Sequence, residues 1–292
     1  MKSQQQYNIL FPVDFSTDCV LATNHVRAWV ERFGATLHTL HIIDTHAIKG
    51  SGGLRDERFY DEQRLLVAKR TADLKYFSDR YLGEDVAHYT VLSGEREQQI
   101  KYFAKNKNIN LIMLPRNHPS LIASLRGDSL SATLLEQCSS SVWITEHLND
   151  SRLPCVRKIL CAVHFEPGVI ALEAQVHRIL HVVREVARAF GARITFLRVM
   201  RGKQGRTKAS TDTQTPSQEE PWIAQARELL GYSADVLRET GNVESVIQDV
   251  ADRVAADLVV VGRTRPLTLG FGVQGNILKI DHVVRSPVLS VW

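Results

Sequence analysis

The constraint that most limits this chain is an internal repeat. Ile9-Leu10-Phe11-Pro12-Val13-Asp14-Phe15 is matched 150 positions later by Ile159-Leu160-Cys161-Ala162-Val163-His164-Phe165. Each is a short continuous apolar run, the pattern of a strand buried on both faces of a parallel sheet. A second match pairs the segment Phe33-Gly34-Ala35 with Phe190-Gly191-Ala192, where a glycine ends a helix and a strand follows at once. The spacing has grown from 150 to 157. Seven residues are close to two helical turns, so the second copy can lengthen its helix without rotating the buried face. Leu172, Val176, Ile179, Val183 and Val186 keep that helical spacing.

Two further strand matches complete the repeat. Ile109-Asn110-Leu111-Ile112-Met113-Leu114-Pro115 pairs with Ala256-Asp257-Leu258-Val259-Val260-Val261-Gly262, and Ser141-Val142-Trp143-Ile144 with Pro287-Val288-Leu289-Ser290. Helical stretches lie between, marked by Ile100, Phe103 and Ala104, and by Leu130, Leu134, Leu135 and Cys138 in the first copy. In the second copy Ile247, Val250, Ala251 and Val254 mark one, and Ile277, Ile280, Val283 and Val284 another. Strands alternating with helices predict an α/β chain of parallel βαβ units, each copy a doubly wound open sheet. The spans are 1–146 and 157–292, with a polar, proline-ended linker between them. After its second strand the first copy inserts a charged helix with apolar Leu65, Leu66, Leu74 and Phe77. At that place the second copy carries Arg201 to Glu220, which reads as a disordered loop or as a mobile lid.

Composition narrows the partners. Lys and Arg number 36 against 32 Asp and Glu, a net charge of +4 over 292 residues, which argues against nucleic acid. No stretch of about 18 apolar residues occurs, and the N-terminus lacks a signal-peptide core, so the chain reads as cytoplasmic and without a membrane span. The four cysteines form no paired motif and read mostly as buried thiols. His38 and His41 lie three apart on a strand and face opposite sides of the sheet, so no metal site is assigned to them.

The opening Ile-Leu-x-x-Val-Asp, the Phe-Gly-Ala helix end and the glycine-spaced loop resemble the universal stress protein family in its tandem form, over nearly the whole chain. The resemblance implies two open, adenine-nucleotide-hydrolase-like sheets of five parallel strands each, in the order 3-2-1-4-5. It also implies a stress-response regulatory or protective role, with protein partners unspecified and a homodimer as one assembly. Nucleotide-binding members carry G-x2-G-x9-G-[S/T] after the fourth strand. In this register the second copy has Gly262, Arg265, Gly275 and Asn276, and the first has Pro115, His118, Asp128 and Ser129. The family's aspartate at the end of the first strand is Asp14 in the first copy and His164 in the second.

The motif's chemistry can be argued from the residues. A glycine just past a strand lets backbone N–H groups approach a polyphosphate, and a second opens a helix whose N-terminal amides favour an anion. Gly262 and Gly275 supply those positions, Gly272 loosens the loop, Arg263 and Arg265 add positive charge, and Asn276 can cap the following helix. Val163 and Val199, at strand ends, are candidates to line an apolar base pocket. ATP or another adenine nucleotide is therefore expected, if anywhere, in the second copy. None is expected in the first, where Pro115 has no N–H and Asp128 puts a carboxylate at the helix start. The same glycines also fit a tight strand-to-helix connection with nothing bound, and the arginines a solubilising surface. No residue is assignable as nucleophile or general base. A slow ATP hydrolase and a ligand-free interaction module remain as alternatives.

Overall fold

In a computed structural model, residues 6–44, 57–115, 134, 138–144, 155–163, 170–200, 221–231, 234–263, 280 and 283–292 are described. The chain divides into two units, Met1–Pro154 and Cys155–Trp292.

In the first unit, β1 (Asn8–Pro12) buries Ile9, Leu10 and Phe11 completely, as an interior parallel strand requires. The helix α1 (Thr17–Phe33) starts at Ser16, whose side chain accepts from the Cys19 amide, and stops at Gly34, left-handed at φ 56°. Its buried stripe is Cys19, Ala22, Thr23, Val26 and Trp29. Then follow β2 (Thr36–Ile43), α2 (Glu57–Tyr81), β3 (Ala87–Ser93), α3 (Arg96–Asn106), β4 (Leu111–Leu114) and β5 (Ser141–Ile144). The strands are parallel, in the order β3-β2-β1-β4-β5.

The C-terminal half of α2 packs on the core. Leu74 and Phe77 are buried, but Leu65 is 71% exposed, so it does not belong to the packed stripe. The reason is length: 25 residues of helix span about 37 Å, whereas the eight residues of β2 reach about 26 Å. The N-terminal turns outrun the sheet.

The second unit repeats the plan with β6 (Lys158–Ala162), α4 (Ile170–Phe190), β7 (Arg193–Met200), α5 (Pro221–Leu230), β8 (Asp235–Thr240), α6 (Val243–Val254), β9 (Leu258–Gly262) and β10 (Val288–Val291). Its strands are also parallel, ordered β8-β7-β6-β9-β10. Both orders are 3-2-1-4-5 within their own unit. The helix α4 has 21 described residues against 17 in α1, so the second copy's helix is the longer one. Val176, Ile179, Val183 and Val186 are buried along it, and Gly191 at φ 67° ends it as Gly34 ends α1. The segment Arg201 to Glu220 lies outside the described residues.

Cys19, Cys138 and Cys161 are buried, whereas Cys155 is exposed. Burial pushes the Cys19 thiol up to about 12 and that of Cys161 further still, leaving little thiolate on either. Brief iodoacetamide treatment of the native protein is expected to label Cys155, with the other three reacting only after denaturation. Peptide mass spectrometry checks this, and early modification of Cys19 or Cys161 would contradict the packing.

Candidate functional site

In each unit the strand order reverses at one point, between β1 and β4 in the first and between β6 and β9 in the second. The connections leave such a pair toward opposite faces of the sheet, which opens a crevice at the carboxyl ends of the strands. Ligands of open α/β sheets bind there.

In the second unit Ala162 pairs with Val261, which brings the next residues, Val163 and Gly262, to the same sheet end. Val163 is buried, with its amide donating to the Leu197 carbonyl at 2.9 Å. Val199 lies two residues further along β7 and is half-buried. Gly262 is a close-approach position, and the partner is a helix. A Cβ placed on it would stand 2.5 Å from Ile179 Cδ1 and 2.8 Å from Gln175 Nε2, both on α4. The missing side chain is thus the space into which α4 packs. Gln175 itself is 3% exposed, and its Nε2 finds no hydrogen-bond partner among the described residues. An orphaned buried donor beside the glycine at a switch point is chemically suited to a ligand bearing acceptor oxygens.

Arg263 is only 2% exposed. Its amide donates to the Val291 carbonyl at 2.7 Å, and its guanidinium carbon lies 5.4 Å from the centre of the Trp292 ring. A cation over an indole face at that distance is attracted by the ring quadrupole. Arg178 of α4 reaches the same terminal residue, with Nε donating to the Trp292 carbonyl oxygen at 2.8 Å. Arg263 therefore packs into the unit beside the crevice. His164, Arg265, Gly272, Gly275 and Asn276 lie outside the described residues.

In the first unit Asp14 lies just past β1. Asp14 Oδ1 accepts from the Ser16 amide at 2.9 Å and from the Cys19 thiol at 3.0 Å, closing a turn in which Phe15 has φ 63°. Burial pushes the Asp14 carboxyl up, but the bonds from Ser16 and Cys19 and the charge of Arg96 outweigh it and hold the group below its ordinary value. The Nδ1 of His41 lies 2.8 Å from the Val13 carbonyl, its ring tilts against Phe15, and the Arg70 guanidinium sits over Phe15 at 5.9 Å. His38 faces elsewhere, against His88 and Phe103. Pro115 follows β4 where Gly262 closes β9, and it offers no N–H. Asp128 and His118 lie outside the described residues.

Neither the repeat nor the glycine-spaced loop points to Gln175, Arg178 or Trp292. One signal was available for Gln175, which lies three residues after Leu172 and four before Ile179, on the apolar stripe of α4. A polar residue in that stripe needs a reason. Among the described residues no group of three His, Cys, Asp or Glu side chains is placed to hold a metal ion, and no helix is long and apolar enough to cross a membrane.

A model of the universal stress protein family matches residues 7–146 and again 156–277. Among solved structures, the chain is similar to a universal stress protein from Archaeoglobus fulgidus, at 15% identity, with 97% of this chain and 95% of that one covered and a TM-score of 0.67. It is also similar to a functionally unknown protein from Pseudomonas aeruginosa, at 17% identity, with 99% and 93% covered and a TM-score of 0.62. At such identities the likeness is one of fold. No curated protein matches the chain.

Proposed function

The chain belongs to the universal stress protein family, and on that premise we propose that it is a stress-response regulatory or protective protein that binds an adenine nucleotide in its second unit and acts through other proteins. The observation that carries the reading is the contrast between the two crevices. The second has Gly262 at the end of β9, an orphaned buried amide beside it, and Gly275 in the register of the family motif, whose middle glycine is replaced by Arg265. The first has Pro115 at that place, and its aspartate is held by Ser16 and Cys19. In the second unit Val163 and Val199 would flank the base. Gly262, Gly272, Gly275 and Asn276 would bring backbone amides to the phosphates, and Arg265 would supply charge beside His164. Arg263 would support the crevice from below, through Trp292.

The test is thermal unfolding of the full chain with ATP, AMP and cyclic AMP, together with analysis of small molecules released from the purified protein by acid. A ligand at one hundred times its Kd stabilises by about 2.7 kcal/mol, which is a rise of several degrees. Gly275→Asp installs the carboxylate that Asp128 supplies in the first copy, and it is expected to abolish that rise. A rise that persists in Gly275→Asp would remove this loop from the site.

A second reading, an interaction module without a ligand, is favoured by one observation. The packing of Gln175 and Ile179 against Gly262 gives that glycine a structural reason to exist. Wild-type protein that releases no nucleotide and is stabilised by none would establish it.

A further inference from the structure

We propose that the side-chain amide of Gln175 is a hydrogen-bond donor to the nucleotide held by the second unit, an inference that rests on the reading just given. The stripe of α4 that faces the sheet is otherwise apolar where it is described, with Val176, Ile179, Val183 and Val186 all buried. A leucine or methionine at 175 would fill the same volume with no polar group to satisfy. Glutamine instead buries two polar atoms, and its Nε2 has no hydrogen-bond partner among the described residues. A buried donor left in that state costs free energy, so the site calls for an acceptor.

Its position says what kind of partner. Gln175 lies against Gly262, the last residue of β9, at the carboxyl end of the sheet where the order turns from β6 to β9. That is the place in an open α/β sheet where ligands bind. Nε2 can only donate, so it selects an acceptor such as a phosphate or sugar oxygen. The nearby guanidinium of Arg263 lies over the Trp292 ring, and the Gln175 amide is a neutral buried donor against Gly262. A neutral donor orients a ligand without adding charge, so its effect falls on affinity and geometry.

The experiment is isothermal titration of the full chain with ATP, paired with thermal unfolding without ligand, for wild type, Gln175→Met and Gln175→Glu. Methionine keeps the length of the side chain and removes the donor. Gln175→Met is expected to melt at or above the wild-type temperature without ligand, and to bind ATP about ten-fold more weakly, a loss of about 1.4 kcal/mol. Gln175→Glu, which replaces the donor with a like charge, is expected to lose more. ATP affinity unchanged in Gln175→Met, with wild type binding normally, would overturn the role of Gln175 and leave the nucleotide reading standing. So would a Gln175→Met variant that melts well below wild type and binds ATP normally once folded. Wild type that binds no ATP would overturn both.

Discussion

Gly262→Ala is expected to destabilise the second unit by about 1–3 kcal/mol, through overpacking and not through any ligand. The new methyl would stand 2.5 Å from Ile179 Cδ1 and 2.8 Å from Gln175 Nε2, closer than non-bonded atoms approach. Both neighbours are the ends of flexible side chains, but both are buried, so neither has open space to enter. The control is a double-mutant cycle with Ile179→Val, which deletes the methyl that the new Cβ would meet. Alone, Ile179→Val should cost about 0.5–1.5 kcal/mol. Together the two changes should cost clearly less than their sum, because each relieves the other. Urea unfolding midpoints measured without nucleotide decide it. If Gly262→Ala leaves those midpoints untouched yet removes the response to ATP, the glycine serves a ligand and the packing account fails. The cycle also fixes how a binding loss in a Gly262 variant is read, since a shifted α4 would carry Gln175 with it.

The repeat made the fold legible because each of its signals is local. Ile9, Leu10 and Phe11, with Ile159, Leu160 and Cys161, are apolar without interruption, and only a strand covered on both faces can use such a run. Gly34 and Gly191 end their helices in the left-handed region, a conformation that glycine adopts without strain. The candidate site was less legible because its contacts are set by pairings distant in sequence. Gly262 announces a close approach, but whether a phosphate or a helix comes close depends on how α4 lies on β9. Arg263 reads as free positive charge until the register Gly262 to Val291 places it beside Trp292. Asp14 is the intermediate case. An aspartate two residues before a serine that caps a helix is a turn signal in its own right, and the bonds to the Ser16 amide and the Cys19 thiol follow from it. Leu65 shows the limit of periodicity, which marks the apolar face of α2 without showing where the sheet beneath it ends.

The first unit is expected to lose stability on mild acidification, beginning above the pH at which carboxylates protonate. Three of its histidines, His25, His38 and His41, are pushed below their ordinary value. For His25, packed 5.0 Å from the Trp143 ring, burial lowers it to about 4. Burial also leads for His38, aided by His88 and Lys107. It leads again for His41, where Arg70 and Arg96 add to it and the Val13 carbonyl and Asp14 oppose it. The sign follows from linkage: the folded form holds these rings neutral, while the unfolded chain takes up protons near 6.5. Their contribution is therefore complete above 6.5 and is lost as the pH falls below it, for His25 toward about 4. For His25 alone the loss at pH 4 is on the order of 3 kcal/mol. Asp14 acts lower on the scale, since its depressed carboxyl stabilises the fold above its ordinary value of 3.8 and gives way only below it. Urea unfolding at pH 7.5, 6.5 and 5.5 should show stability falling before carboxylates, with ordinary values near 4, take up protons. His25→Phe keeps an aromatic ring against Trp143 and removes the proton site, so it should flatten much of that slope. An unchanged slope in His25→Phe would place the acid sensitivity elsewhere in the chain.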